Sequence, residues 1–154
     1  MKLNSISAAR FGCLAFASLF LTCLAARVHA GELKLEAQVI WGTNDATSPD
    51  PKHKPAEAEV ARKLKSQPFK WKNYFEVNRK TFSVAQDETK KVPMSKECEL
   101  QVKNLGKQQV EVTLIGKGKS TGKITQALPK RELLVTGGNA ANSTSWFVVL
   151  RQVD

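Results

Sequence analysis

Apolar and polar residues alternate through "ELKLEAQVIW", with Leu33, Leu35, Ala37, Val39 and Trp41 at every second position. A period of two places those side chains on one face of an extended chain, which predicts a half-buried strand. The next stretch, Gly42 to Pro55 (GTNDATSPDPKHKP), has three prolines among small polar residues and reads as a loop. Pro55-Ala56-Glu57-Ala58-Glu59 opens the one predicted helix, with proline in its first turn and acids near its positive end. Arg62, Lys63 and Lys65 lie near its negative end. Ala56, Val60, Ala61 and Leu64 form a narrow apolar stripe, enough to cover a sheet.

From Phe69 onward the pattern is one of strands and turns. "KWKNYFEVNRKTFSV" predicts a long strand or a bent pair, and "KKVPMS" a short edge strand interrupted by Pro93. "CELQVKNL" and "QQVEVTLIG" flank a hairpin whose tip is placed near Asn104 to Lys107. "GKITQAL" and "RELLVTG" follow, Gly137-Gly138-Asn139 reads as a turn, and "SWFVVLRQV" closes the chain as a strand apolar enough to be central and covered on both faces. Seven to eight strands and one short helix predict a predominantly β, α+β domain. Its simplest form is an antiparallel sandwich or curled sheet with the helix against one face or edge.

The N-terminus changes which residues that domain contains. Lys2 and Arg10 precede the apolar run Phe11 to Ala26, and Val28-His29-Ala30 ends in a small residue. That combination predicts an export signal over 1–30 with cleavage after Ala30, and a single β-rich domain over 31–154. The alternatives are an uncleaved anchor, for which the run is short, and a lipoprotein at Cys23, which Phe20-Leu21-Thr22 disfavours. Export makes the expected location periplasmic or extracellular.

The chain of 154 residues carries 24 Lys and Arg against 14 Asp and Glu, a net charge of +10. The signal holds Lys2, Arg10 and Arg27 and no acid, so the exported part stays basic. A basic exported domain meets head groups, acidic polysaccharide or nucleic acid more often, yet charge argues solubility and encounter rate before it argues a partner.

Cysteine and histidine usage is more restrictive. Cys13 and Cys23 lie in the signal, leaving Cys98 without an internal disulfide partner. Alternation places Cys98 on the face shared with Leu100 and Val102, as a small buried residue in preference to a reactive thiol. His53 is the one histidine beyond the signal. A zinc site needs several His or Cys ligands, and a Cys–His nucleophile needs His53 to fold back onto Cys98. No metal, cofactor or catalytic residue is therefore assigned.

"GKGKSTGK", residues 116–123, resembles the end of a phosphate-binding loop. Such a loop needs a glycine five residues before Gly-Lys-Ser and a helix directly after it. Thr113 occupies the glycine position, inside a predicted strand, and "STGKITQAL" is a poor helix former. The stretch is read instead as a lysine-tipped, flexible connection between strands, and no nucleotide is expected. Glu97 and Glu99 read as outward edge charges and not as a catalytic carboxylate pair. In "FKWKNYF" the period of two sends Phe69 and Trp71 inward and the lysines outward, against a nucleic-acid or sugar platform. Asn142-Ser143-Thr144 matches a glycosylation acceptor, a pattern common by chance.

The order of "FKWKNYFEVNRKTFSV", "KKVPMSKECELQVKNLGKQQVEVTLIGKGK" and "LLVTGGNAANSTSWFVVL" resembles that of a group of small exported β-rich proteins of uncharacterised function from Gram-negative bacteria. The resemblance spans about residues 69–150, implies bacterial export and a β fold, and brings no catalytic residues. The expected function is a noncatalytic exported domain for protein interaction or envelope assembly, its partner an envelope protein. The alternative is a polyanion-binding module using Lys117, Lys119, Lys123, Lys130 and Arg131. Oligomeric state is left open.

Overall fold

A computed structural model of the chain describes residues 31–140 and 143–153. The predicted signal and Asn142 of the acceptor pattern lie outside the described residues. Nine strands and one helix appear in the order β1 (Leu33–Thr43), β2 (Lys54–Pro55), α1 (Ala58–Lys65), β3 (Asn73–Val84), β4 (Thr89–Pro93), β5 (Cys98–Gly106), β6 (Gln109–Gly116), β7 (Lys119–Ala127), β8 (Leu133–Asn139) and β9 (Ser145–Gln152). They form two antiparallel sheets, β2-β3-β1-β9-β8 and β4-β5-β6-β7. The α+β, predominantly β sandwich is as predicted. The strand beyond the expected eight is β2, two residues that pair with β3.

Alternation builds the layer between the sheets. Leu35, Ala37 and Val39 of β1 and Val148 and Leu150 of β9 face Leu100, Val102, Val112 and Leu114 of β5 and β6 in one buried cluster. Asn104, wholly buried, ties the layers where they meet Val84: its amide donates to the Gly31 and Val84 carbonyls and its side-chain oxygen accepts from the Gly106 N–H. The hairpin tip thus falls beyond it, at Lys107-Gln108, whose φ values of 51° and 61° suit a tight two-residue hairpin turn.

A second cluster covers the other face of the five-stranded sheet. Val60 and Leu64 of α1, both fully buried, pack with Ile40, Tyr74, Phe147 and Val149. Phe69 and Trp71 join this cluster, as their spacing predicts, and the Trp71 indole donates to the Ser143 carbonyl at 2.8 Å. β1 is therefore covered on both faces instead of being half-buried, because it lies at the centre of its sheet beneath the helix. β9 is central and doubly covered as expected, and β4 is the expected edge.

Eight residues make too short a helix to hold itself in water, so α1 depends on this docking. Its first turn is not opened by Pro55, which pairs with Phe75 in the sheet, and the helix begins at Ala58. Glu57 occupies the N-cap without a capping side-chain hydrogen bond. Its carboxylate meets Arg79 and, at 2.9 Å, Arg151, two arginines that also bind Glu36 on the covered face of β1.

Gly137 and Gly138 lie inside β8, not in a turn. A Cβ on Gly137 would meet the Trp146 carbonyl oxygen at 2.3 Å, whereas one on Gly138 would make only ordinary contact with the Trp146 indole at 3.6 Å. The missing side chain of Gly137 lets the β9 backbone approach β8, a use of glycine in strands that composition does not separate from turn formation.

Candidate functional site: an apolar cleft between the sheets

Toward the end of the sandwich opposite Asn104, the inner face of the five-stranded sheet turns aromatic. Phe75, Trp41 and Trp146 pair in one row across β3, β1 and β9, with the Phe75 and Trp41 rings 6.1 Å apart. On the facing sheet the residues shrink. In the row below Leu100 and Leu114, the same face carries Cys98 on β5 and Gly116 on β6. Large rings opposite thiol and glycine leave volume between the layers, and a partly open cleft of about 610 Å³ lies there. That is within the range of about 300–1,000 Å³ usual for small-molecule sites.

Two β-bulges shape its walls. In β3 the register with β1 shifts between Val39 and Ile40, so Val77 is the unpaired residue. Without that shift, Glu76 would point between the sheets; with it, Phe75 faces inward and Glu76 joins Arg79 on the outer face. Val77 itself borders the cleft and is 39% exposed. In β7 the register with β6 shifts between Leu114 and Ile115, leaving Thr121 unpaired. Its hydroxyl donates to the Leu114 carbonyl at 3.2 Å. The shift sets Lys119 opposite Gly116, on the face that looks into the cleft, where an unbroken ladder would have put Ser120.

"GKGKSTGK" therefore has a defined conformation. Gly116 ends β6, Lys117-Gly118 is a two-residue tip with φ of 49° and 75°, and β7 begins at Lys119. The connection is shorter than its polar composition suggests, since five of its residues belong to β7. Lys117 and Lys119 border the cleft mouth with Glu97 and His53. Lys117 Nζ lies 4.0 Å from Glu97, between side chains that are both largely exposed, a separation at which an ion pair contributes little.

His53 comes from the loop between β1 and β2. Its Nδ1 is 2.7 Å from the Ser48 hydroxyl, its N–H donates to the Asp50 carbonyl, and its ring lies 6.4 Å from Trp41. Asp50 Oδ2 is 3.7 Å from Nε2. The Ser48 hydroxyl also accepts from the Asp50 N–H at 3.3 Å, so these groups brace a turn and hold the imidazole at the mouth.

Comparison with protein-family models, curated proteins and solved structures finds no match. The chemistry must be read from the cleft itself.

The five cations of the polyanion reading are not one patch. Lys117 and Lys119 share the cleft mouth. Lys123 bonds to Glu111 at 3.0 Å. Lys130 and Arg131 lie beyond the far end of β7, about 26 Å from Lys119 along a strand rising about 3.3 Å per residue. Arg131 borders a surface hollow with Glu59, Arg62, Lys63 and Glu132 beside α1.

Cys98 faces inward with Leu100 and Val102, as alternation predicts, but is half-buried because it also borders the cleft. Burial pushes its thiol above the ordinary value of 9.0, which keeps it protonated and poorly nucleophilic. Among the described residues no group of three or more His, Cys, Asp or Glu is placed to hold a metal. Sequence reading missed Trp41, Trp146, Val77, Thr121 and His53 as a group. Their only common signal is the small residues at 98 and 116, which acquire meaning once the strand register is known.

Proposed function

We propose that this protein is a noncatalytic exported binding module, and that the cleft between its sheets receives an apolar group of its ligand. The observation that carries this reading is the paired Trp41 and Trp146 facing Cys98 and Gly116 across about 610 Å³. A sandwich selected for packing alone would fill that space, since each buried methylene contributes about 0.8 kcal/mol. Protein interaction through a sheet edge has less support: β7 is exposed along nearly its whole length, but Lys119 and Lys123 guard it as charges guard other edges.

The test uses a neutral fluorescent probe, N-phenyl-1-naphthylamine, with the native protein and with Gly116→Leu. A Cβ at Gly116 meets only the Thr121 methyl, at 3.3 Å, so leucine enters the cleft without striking backbone. Probe emission should rise with the native protein and fall away with the filled variant. Cys98→Phe fills the cleft from a second position, and circular dichroism confirms that each variant is folded. Equal probe binding by native and both filled variants would rule the cleft out as the site.

A further inference from the structure

The cleft has a chemical polarity that narrows its occupant. Its walls are hydrocarbon and indole, while its mouth carries Lys117 and Lys119 against Glu97, with His53 beside Asp50. Lys119 is turned to the cleft side by the Thr121 bulge, and among the described residues it has no ion-pair partner. His53 is anchored through Nδ1 by Ser48. A peptide in the cleft would bring backbone N–H and C=O groups that need partners, and the walls offer few beyond the hydroxyls of Ser95 and Thr121. A hydrocarbon chain needs none, and the cationic surplus at the mouth suits a negative head.

We infer that the cleft holds the chain of a single-chain amphiphile with an anionic head, a fatty-acid carboxylate or an alkyl phosphate. The chain lies between Trp41 and Trp146 on one side and Cys98 on the other, and Lys119 and Lys117 receive the head. This rests on the reading of the cleft as the binding site, and adds to it the ligand class and the residues that select it. Affinity then has two separable sources: chain length, about fourfold per added methylene, and head charge, about tenfold for the Lys119 contact and weaker as salt rises.

The experiment measures protection of Cys98 from alkylation, together with Trp41 and Trp146 fluorescence, in the purified protein. Dodecanoate, dodecyl phosphate, dodecyltrimethylammonium and inorganic phosphate are each titrated below any aggregation concentration, beside the neutral probe used above. The two anionic chains should slow alkylation and bind at least tenfold tighter than the cationic chain. Lys119→Glu should weaken the anionic chains about tenfold while the neutral probe binds as before. Equal protection by anionic and cationic chains would overturn the head-group assignment and leave the cleft standing. Probe binding without protection by any chain would overturn the amphiphile and spare the cleft. Failure of probe and chains together would overturn both. Phosphate alone matching dodecyl phosphate would overturn the proposal, because the chain would then contribute nothing.

Discussion

Arg79→Met is the perturbation that most directly tests how α1 is held on the sheet. Arg79 contacts Glu36, Glu57 and Glu76; its own side chain is 30% exposed, against 11% for Glu36 and 17% for Glu76. Removing one partner of a fully buried pair costs about 3–5 kcal/mol, and an exposed pair contributes about 0.2–1 kcal/mol. Glu36 would retain Arg151 at 2.7 Å and the Gln38 amide at 2.9 Å. Half-buried geometry with a remaining partner places the expected loss between those limits, at about 2 kcal/mol at pH 7. Methionine keeps most of the apolar stem, so the change isolates the charge.

The pH dependence supplies the refutation. Desolvation pushes the Glu57 carboxyl up, but hydrogen bonds and charge from Arg79 and Arg151 outweigh it and hold the group below its ordinary 4.5. Below 4.5 the unfolded chain then binds more protons than the native one, so this stabilisation is present above pH 4.5 and lost as pH falls through the lower native value. In Arg79→Met the depression shrinks, and the gap between variant and native protein should narrow as acid is added. Urea unfolding at pH 7, 5 and 3.5 gives the gap at each point. A gap that stays constant down to pH 3.5 would mean that Arg79 acts through packing and that the ion-pair account of helix docking is wrong.

Other substitutions probe the remaining packing. Asn104→Ala removes two hydrogen bonds between the layers and one within β5 and should lower the unfolding free energy by about 2–4 kcal/mol in urea titration, the Val84 carbonyl and Gly106 N–H losing their buried partner. Gly137→Ala drives a methyl into the Trp146 carbonyl and should destabilise by about 1–3 kcal/mol, whereas alanine at Gly122, whose Cβ would meet open space, should change the urea midpoint little. Tyr74→Phe should be neutral or slightly stabilising, because the buried Tyr74 hydroxyl has no hydrogen-bond partner among the described residues and its loss removes a desolvated group. Cys98 should react with a disulfide reagent more slowly than a free thiol at pH 8 and accelerate through pH 9 and above, following its raised pKa.

The strands were legible because alternation is a local signal. Leu33 to Trp41 and Cys98 to Val102 point inward as their period requires, and the apolar run Trp146 to Leu150 is the doubly covered strand it resembles. Bulges are not legible that way. Val77 and Thr121 are single insertions whose register depends on partner strands distant in sequence. The same limit explains Gly137, where the demand for glycine comes from the Trp146 carbonyl on β9, and Pro55, which pairs with Phe75 instead of starting the helix. "GKGKSTGK" joins two strands, as its flanks predict, but the direction of Lys119 rests on the Thr121 bulge. The cleft follows from which small residues stand opposite which large ones, a property of register and not of composition.

The central claim is that ligand enters between the sheets beside Trp41 and Trp146. The most direct measurement is a nuclear magnetic resonance titration of the isotope-labelled protein with dodecanoate. The indole N–H signals of Trp41 and Trp146 and the amides of Cys98, Gly116 and Thr121 should shift together along one saturable curve, with Trp71, in the cluster beneath α1, unmoved. Saturable shifts confined to Arg62, Lys63 and Arg131 beside α1, or no saturable shift at the two tryptophans, would contradict it.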